Sequence, residues 1–207
     1  MVYLITPNEY STHRDDLDAM YRLRHKVFFE KLKWQVNSED GMEKDEYDEN
    51  NTYYLIFKDK NNIVRGCQRY IPMNNPCMFD GPFDFVLSNL KDYKNAQHWE
   101  ASRMAVDYDF AEGYTKEDAK NVCCRILAAS VLFGLDAEIK SFVTLSYPSP
   151  ARILSQFFST SLLARSVVNN EEIHVTEYSP LAESYSKLLD KINLPANEPV
   201  YILQGQG

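Results

Sequence analysis

Apolar side chains recur along the chain with two different periods, and the period indicates which segments are helical. In residues 15–33 they return every three or four positions, which predicts an amphipathic helix with one face toward a core. Residues 115–137 form the second clear helix, because Thr115 is a good N-cap and acids follow in the first turn. Shorter helices are predicted over 150–158 and from Pro180, with that proline in the first helical position.

Strands are predicted where short runs alternate or are continuously apolar. Residues 53–58 and 63–71 are expected to pair as a hairpin through the polar turn DKNN. The remaining predicted strands cover residues 99–106, 142–146, 164–168, 173–178 and 199–203. The acidic stretch 34–51 and the proline-interrupted stretch 72–90 have no period and are predicted to be loops. This order predicts an α/β fold, with one mixed sheet flanked by helices.

Composition narrows the class of protein. The 207 residues suit a single domain, spanning 1–207, and their formal net charge of −8 argues against a nucleic-acid partner. No apolar run is long enough for a membrane span, and the first residues do not resemble a signal peptide, so a cytoplasmic location is expected. The four cysteines and four histidines show no metal-ligand spacing, so we expect no metal and reduced, packed thiols.

Charged residues in otherwise core-like elements are the first indication of function. Arg24 interrupts the apolar face of the first helix, and Arg69 lies inside a predicted strand. A buried guanidinium requires carboxylate partners, because an unpaired buried charge is very costly. The acidic stretch supplies candidates, Glu43, Asp45 and Asp48, although the same cluster by itself also fits a solvated loop. Its spacing does not match an EF-hand calcium loop.

Glu100 and Arg103 present a geometric difficulty. Both lie in the predicted strand 99–106, on either side of Ser102. Positions three apart in a regular strand point to opposite faces of the sheet. The two side chains can share one site only if the strand bulges or ends between them.

A series of motifs in a fixed order resembles a known family. The pieces are Arg24-x-x-Val27-Phe28, Trp34, Glu43-x-Asp45-x-x-Asp48, Tyr54-Leu55, Gly66-Cys67-x-Arg69, Pro76, Phe83 and Trp99-Glu100-x-Ser102-Arg103. Together they resemble the acyl-homoserine-lactone synthase family of bacterial autoinducer synthases over about residues 1–165. The resemblance implies an N-acetyltransferase-like α-β-α sandwich and no prosthetic group. S-adenosylmethionine is the implied co-substrate, and an acyl carrier protein or acyl-CoA the implied acyl donor.

The resemblance also implies roles for individual residues. Glu100 is the candidate general base or an orienting group, Arg24 and Arg103 are expected to position the substrate, and Asp45 and Asp48 to brace them. Phe28, Trp34, Arg69 and Ser102 are expected at the adenosylmethionine site, within about residues 1–106. Phe83, Met104, Thr144 and Leu145 are expected near the acyl chain, within about residues 100–207. For Met104 and Leu145, ordinary core packing remains an equal alternative.

The sequence departs from the family pattern in two places, and the first concerns the acyl donor. A surface that binds the acidic carrier protein should be basic, yet the helix after Thr144 supplies only Arg152, with Lys116, Lys120, Lys140 and Arg165 as possible supplements. An acyl-CoA donor would account for this deficit. The segment Tyr147 to Pro150 (YPSP) is also unusual. Two alternatives remain, an acetyl-CoA-dependent N-acetyltransferase and a non-catalytic binding module. The acetyltransferase's glycine-rich pyrophosphate turn is absent before Thr115.

Overall fold

The structure is a computed structural model that describes residues 1–48, 51–87, 90–108, 115–194 and, for the backbone, 201–203. Its strands and helices in chain order are β1 (Val2–Ile5), α1 (Arg14–Arg24), β2 (Ser38–Glu39), β3 (Met42–Glu43), β4 (Tyr53–Lys58), β5 (Val64–Pro72), α2 (Leu90–Tyr93), β6 (His98–Val106), α3 (Lys116–Asp136), β7 (Ser141–Ser146), α4 (Pro148–Leu154), β8 (Thr160–Val168), β9 (Glu171–Tyr178), α5 (Ala182–Lys191) and β10 (Tyr201–Leu203). A π-helix, His25–Lys31, continues α1 directly, and Pro7–Glu9 and Met78–Asp80 form short 3₁₀ turns.

Eight strands form one mixed sheet in the order β10-β1-β4-β5-β6-β7-β9-β8. Neighbours are antiparallel except for the pairs β1–β10 and β6–β7, which are parallel. Pairing between β6 and β7 covers only three residue pairs, from His98 with Ser141 to Glu100 with Val143. Both strands continue beyond that point, so the sheet is split between their carboxyl ends. The predicted α/β class, with a mixed sheet flanked by helices, is confirmed.

The two faces of the sheet bury separate apolar clusters. On one face α1 and its π-helical continuation cover Cys67 of β5 and Ala105 of β6. On the opposite face α3 covers β4 and β5, and α5 packs against α3. Helix α3 approaches β5 closely at Gly66, where an added Cβ would lie 2.7 Å from a methyl group of Val122. Charged residues on the α1 face are therefore enclosed between a helix and the sheet.

The four predicted helices are all present, with less accurate ends, whereas the short helix α2 was not predicted. Residues 15–33 are helical to Lys31, but the hydrogen bonding changes from α to π after Arg24. Thr115 caps α3 by accepting a hydrogen bond from the Asp118 amide, as expected. Helix α4 begins at Pro148 rather than at residue 150. The prediction that Pro180 occupies the first helical position was wrong, because Leu181 is the N-cap and α5 starts at Ala182, two residues after Pro180.

The acidic stretch 34–51 is not a loop throughout. It contains the β2–β3 hairpin, whose turn residues Asp40 and Gly41 have φ values of 52° and 74°. Positive φ at both central positions is the requirement of a type I′ turn, and Asp-Gly is a strong sequence signal for it. This hairpin brings Glu43 under the helix. The strands predicted elsewhere are confirmed, with β8 and β9 longer than expected, and residues 199–200 lie outside the described residues.

Candidate active site

Seven charged side chains meet between α1 and the sheet. The three cations come from different elements: Arg24 is the last residue of α1, Arg69 lies in the middle of β5, and Arg103 lies in β6. The four anions are Glu43, Asp45 and Asp48 of the acidic stretch and Glu100 of β6. We call this group the charged cluster. It brings together all the charged residues that the sequence analysis selected for the adenosylmethionine site.

Arg24 is fully buried and uses all its donor nitrogens within the protein. Its Nε donates to Glu43 Oε2 at 2.5 Å, and its two terminal nitrogens donate to the two oxygens of Asp48 at 2.6 and 2.7 Å. Paired N–H···O bonds of this kind fix the plane of both groups. Arg24 therefore ties helix α1 to the acidic stretch, and its burial keeps it from contact with a ligand.

Arg69 joins the acidic stretch to the sheet. Its Nη1 contacts Asp45 at 2.5 Å and Asp48 at 3.2 Å, and its Nε donates to Ser102 Oγ at 3.0 Å. Its Nη2 lies 3.5 Å from Glu100 Oε1. The side chain is 1% exposed, so these partners supply what water would otherwise provide. Arg69 links both halves of the charged cluster.

Arg103 reaches the same face because β6 bulges. Cys67 and Arg69 of β5 pair with Ala105 and Ser102, so three steps of β6 oppose two steps of β5. Arg103 has a φ of 52°, the left-handed conformation that one class of β-bulge requires. Its Nε donates to Glu43 at 3.1 Å and its Nη2 to Asp45 at 2.6 Å. With 18% of its side chain exposed, it is the most accessible of the three arginines.

Glu100 is fully buried, and each of its oxygens has a partner. Oε1 accepts a hydrogen bond from Ser102 Oγ at 2.5 Å. Oε2 accepts from the backbone N–H of Met78 at 2.8 Å, so the 3₁₀ turn at that position covers the carboxylate. Glu100 is therefore held in one orientation, at the point where the pairing between β6 and β7 ends.

The arginines of the charged cluster favour the ionised form of Asp48. Burial by itself raises the pKa of the Asp48 carboxyl, but Arg24 and Arg69 outweigh it and hold that pKa well below its usual range. Burial, with the charge of Asp48, raises the pKa of Tyr54, so its hydroxyl stays protonated and donates to Asp48 Oδ1 at 2.8 Å. With three arginines and four carboxylates, the charged cluster has a formal net charge of −1, which favours a cationic ligand.

A row of two aromatic rings, those of Phe28 and Trp34, borders the charged cluster. Lys33 has a φ of 55°, which turns the chain back after the π-helix. The backbone N–H of Trp34 then donates to the backbone carbonyl of Phe28 at 2.9 Å. The two rings stack with centroids 5.0 Å apart and planes 5° from parallel. The Arg103 guanidinium lies 5.8 Å from the centre of the Phe28 ring. Phe28 thus lies beside Arg103, the most accessible arginine of the charged cluster, and Trp34 stacks on Phe28.

Comparison of the chain with known proteins identifies its family. The sequence model described as autoinducer synthase matches residues 8–159, which is well over half of the chain. The chain belongs to the autoinducer synthase family. Its relatives include an acyl-homoserine-lactone synthase of Vibrio anguillarum, 27% identical over 146 residues, which cover 70% of this chain and 75% of the relative. Another is an acyl-homoserine-lactone synthase of Aliivibrio fischeri, 24% identical over 184 residues, which cover 89% and 88%.

Solved structures confirm the fold of this autoinducer synthase. A CoA-dependent acyl-homoserine lactone synthase, BjaI, solved with SAM and isopentyl-CoA, aligns with a TM-score of 0.83 at 23% identity over 100% of this chain and 94% of that one. A putative N-acetyltransferase from Lactobacillus plantarum aligns with a TM-score of 0.56 at 10% identity, over 87% and 99%. The expected likeness to the N-acetyltransferase fold is therefore confirmed.

The four residues expected near the acyl chain lie on both faces of the sheet. Phe83 and Leu145 pack against a third apolar cluster, on the α1 face around β7 and β9. Met104 packs on the opposite face with the α3 cluster. Thr144 is buried and, by strand alternation, shares the face of Phe142, which also belongs to the α3 cluster. The structure does not bring these four side chains to one place.

The basic residues considered for a carrier-protein surface are similarly dispersed. Lys116 and Lys120 lie in the first turns of α3, where Lys120 pairs with Glu117 at 2.7 Å. Lys140 lies just before β7, beyond the other end of α3, a helix about 30 Å long at 1.5 Å per residue. Arg152 and Arg165 are exposed on α4 and β8. These residues do not form one compact patch.

The structure gives several groups a part in the site that the sequence analysis did not specify. Glu43, expected only as a candidate partner of a buried guanidinium, is fully buried and bonds both Arg24 and Arg103. Tyr54 belonged to the family motif Tyr54-Leu55, but its hydroxyl was given no role, and the Met78 N–H left no sequence signal. Among the described residues, no group of three or more His, Cys, Asp or Glu side chains is arranged to hold a metal ion. In the same part of the chain, no helix is sufficiently long and apolar for a transmembrane span.

Proposed function

We propose that this autoinducer synthase is an acyl-homoserine-lactone synthase. It transfers an acyl group from a thioester donor to the amine of S-adenosylmethionine, and the product closes to a lactone with release of methylthioadenosine. The observation that carries the proposal is the position of Arg103, a partly exposed guanidinium held by Glu43 and Asp45 and bordered by the Phe28 ring. One site thus provides a guanidinium that can bind the methionine carboxylate. It also provides carboxylates and an aromatic ring face that can bind the positively charged groups of S-adenosylmethionine.

The roles of the three arginines follow from how much of each is accessible. Arg103 is our choice for binding the substrate carboxylate, since a bound carboxylate must be held close to the carbon that it attacks. Each side-chain nitrogen of Arg24 and Arg69 has a protein partner, and both side chains are only 1% exposed, so we assign both to positioning. Asp45 and Asp48 keep these guanidinium groups in place. This modifies the earlier expectation that Arg24 itself holds the substrate.

Glu100 has two possible roles that its contacts help to separate. Acylation requires a deprotonated amine, and a carboxylate within hydrogen-bond reach accepts such a proton directly or through water. The bonds from Ser102 and Met78 already occupy one lone pair on each oxygen, which supports an orienting role. Glu100→Gln preserves the shape and removes the charge. Loss of lactone with retained adenosylmethionine binding supports an essential charge at Glu100, whereas unchanged lactone production refutes the general-base role.

The split between β6 and β7 is the proposed location of the thioester. Pairing stops after Glu100 and Val143, so the backbone around Ser102 and Arg103 is not paired with β7 there. Backbone N–H groups beside the split are candidates to stabilise the oxyanion that forms on the thioester carbonyl. We place adenosylmethionine mainly within residues 1–106 and the acyl donor mainly within residues 100–207, with the two meeting at β6.

The acyl chain has two possible routes from the split, one on each face of the sheet. Phe83 and Leu145 border the route on the α1 face, and Met104 and Thr144 the route on the α3 face. On the latter face, Thr176 pairs with Thr144 in register and lines a groove of about 220 Å³ between α4 and β8–β9. A hydroxyl donor suits an acyl chain with an oxygen substituent. Thr144→Val should then reduce turnover of 3-oxo donors more than that of unsubstituted donors.

The dispersed basic residues favour acyl-CoA over an acyl carrier protein, because the acidic carrier needs a locally basic surface.

The decisive experiment incubates the protein with S-adenosylmethionine and a panel of acyl-CoA and acyl carrier donors, including isopentyl-CoA, the ligand of BjaI. Mass spectrometry then detects lactone and methylthioadenosine. No methylthioadenosine with any donor refutes the function, and an acylated amine without it supports a simple N-acyltransferase. Both substrates are cytoplasmic metabolites, so we propose that location for the enzyme.

A further inference from the structure

The turn Tyr-Pro-Ser-Pro after β7 is a feature that the family resemblance does not explain. Tyr147 is the N-cap of α4, with φ −63° and ψ 160°, and Pro148 occupies the first helical turn. A residue before proline is restricted to this extended region, and proline itself has a fixed φ. The backbone that carries the Tyr147 ring is therefore rigid before any ligand binds.

The Tyr147 ring contacts the aromatic row of the candidate active site. It meets Trp34 edge to face, with centroids 6.0 Å apart and planes at 65°. Trp34 in turn stacks on Phe28, beside the Arg103 guanidinium. Since offset and edge-to-face pairs are favourable aromatic geometries, the three rings support one another.

This contact connects two parts of the protein across the split in the sheet. Trp34 packs against the apolar cluster of α1 and β4–β6, whereas Tyr147 packs against the third cluster, around β7 and β9. Between these clusters β6 and β7 diverge after Glu100 and Val143. The Trp34–Tyr147 pair spans the α1 face of that gap, and both rings are half-buried.

We propose that Tyr147 is a positioning residue that, through Trp34, closes the junction where the thioester and the amine meet and keeps water away from it. This inference rests on the proposed function, since it assumes that a thioester occupies the split. Tyr147 touches no reacting atom in this proposal. Exclusion of water matters here because water is a competing nucleophile at the same carbonyl carbon.

The two competing reactions differ in a measurable ratio. In acyl transfer the amine nitrogen bonds to the carbonyl carbon, the carbon–sulfur bond breaks, the nitrogen loses a proton and one thiol is released for each lactone. In hydrolysis a water oxygen bonds to the same carbon, the carbon–sulfur bond breaks, and a carboxylic acid and a thiol leave without lactone. The ratio of thiol released to lactone formed is therefore near one when the junction is closed and rises when water enters.

The test compares Tyr147→Ala and Tyr147→Phe with a matched aromatic truncation, Tyr3→Ala, a half-buried tyrosine on β1. Each variant is assayed with S-adenosylmethionine and the donor that gives most lactone with the unaltered protein. We expect Tyr147→Ala to raise about tenfold the ratio of excess thiol, released without lactone, to lactone, equivalent to about 1.4 kcal/mol between the two barriers. Tyr147→Phe retains the ring and should keep the original ratio, as should Tyr3→Ala.

Several outcomes separate this inference from simpler explanations. A folded Tyr147→Ala protein whose thiol and lactone yields fall together, at an unchanged ratio, overturns the positioning role in favour of plain structural support. If Tyr147→Ala does not fold, Tyr147→Leu keeps apolar packing on the third cluster and removes the ring, and the same ratio decides. Absence of lactone from the unaltered protein contradicts the proposed function itself, which is a different result.

Discussion

Arg103 lies on the same face of β6 as Glu100, although the two residues are three positions apart. The bulge between Ser102 and Ala105 rotates Arg103 toward α1, where it bonds Glu43 and Asp45. A non-glycine residue in the left-handed region costs about 1–3 kcal/mol, which the surrounding structure must offset. Here the two ion pairs of Arg103 hold the strained residue in place. The strained backbone conformation therefore belongs to Arg103, the arginine of the charged cluster whose side chain is partly exposed.

Replacing single arginines by lysine should separate activity from stability. Arg103→Lys keeps the charge but loses the second donor, so kcat/KM should fall by about 100-fold, as expected for a small misplacement of substrate. Its unfolding midpoint should fall less than that of the corresponding Arg24 variant, because the Arg103 side chain is partly exposed. Arg24→Lys should instead lower the free energy of unfolding by about 3 kcal/mol, since one ammonium replaces donors to two buried carboxylates. Equal effects of both variants on stability would contradict the assigned roles.

Asp48→Asn should destabilise the protein by about 3–5 kcal/mol, because Arg24 is left buried with its charge only partly compensated. Urea unfolding followed by circular dichroism measures the change. The control is Glu183→Gln, which breaks an exposed pair with Lys187 on α5 and should leave the midpoint nearly unchanged. A loss as small as that of the control would mean that Asp48 does not hold Arg24.

Acid should weaken the fold through Asp48. Its pKa in the folded protein lies below its unfolded value, so its stabilisation is complete above the unfolded pKa of about 3.9 and is lost as pH falls toward the folded pKa. The free energy of unfolding, measured from pH 6 to pH 2.5, should therefore drop steeply below about pH 4. In Asp48→Asn the drop should be shallower. An equally steep curve in that variant would assign the acid sensitivity to other carboxylates.

The close approach of α3 to β5 predicts an unusually sensitive glycine. In Gly66→Ala the new Cβ would lie 2.7 Å from Val122 and 2.8 Å from Ile126, so the free energy of unfolding should fall by about 1–3 kcal/mol. Combining it with Val122→Ala makes room for the methyl group. The double variant should then be more stable than the sum of the two single effects predicts. Simple additivity would show that the contact is not the cause.

The cysteines should react slowly in the folded protein. Burial raises the pKa of Cys67, Cys77 and Cys123 to about 12 and also raises that of Cys124. At pH 8 almost none of these groups is the reactive thiolate. Labelling with a thiol-reactive disulfide reagent should be slow in buffer and complete in denaturant, with all four residues modified. Fast labelling of any of them in buffer would identify a more accessible thiol.

The sequence by itself determined the local elements and the identity of the charged residues. The three- to four-residue period specified α1, the Thr115 cap specified α3, and the position of Arg24 on an apolar face required carboxylate partners, because each of these signals acts within a few residues. The pairing of those charges was decided only by the tertiary structure. Glu43 could join Arg24 to Arg103 only once the β2–β3 hairpin had packed beneath the helix. The bulge at Arg103 and the Trp34–Tyr147 contact likewise depend on strand register and on segments far apart in the chain, which no local pattern encodes.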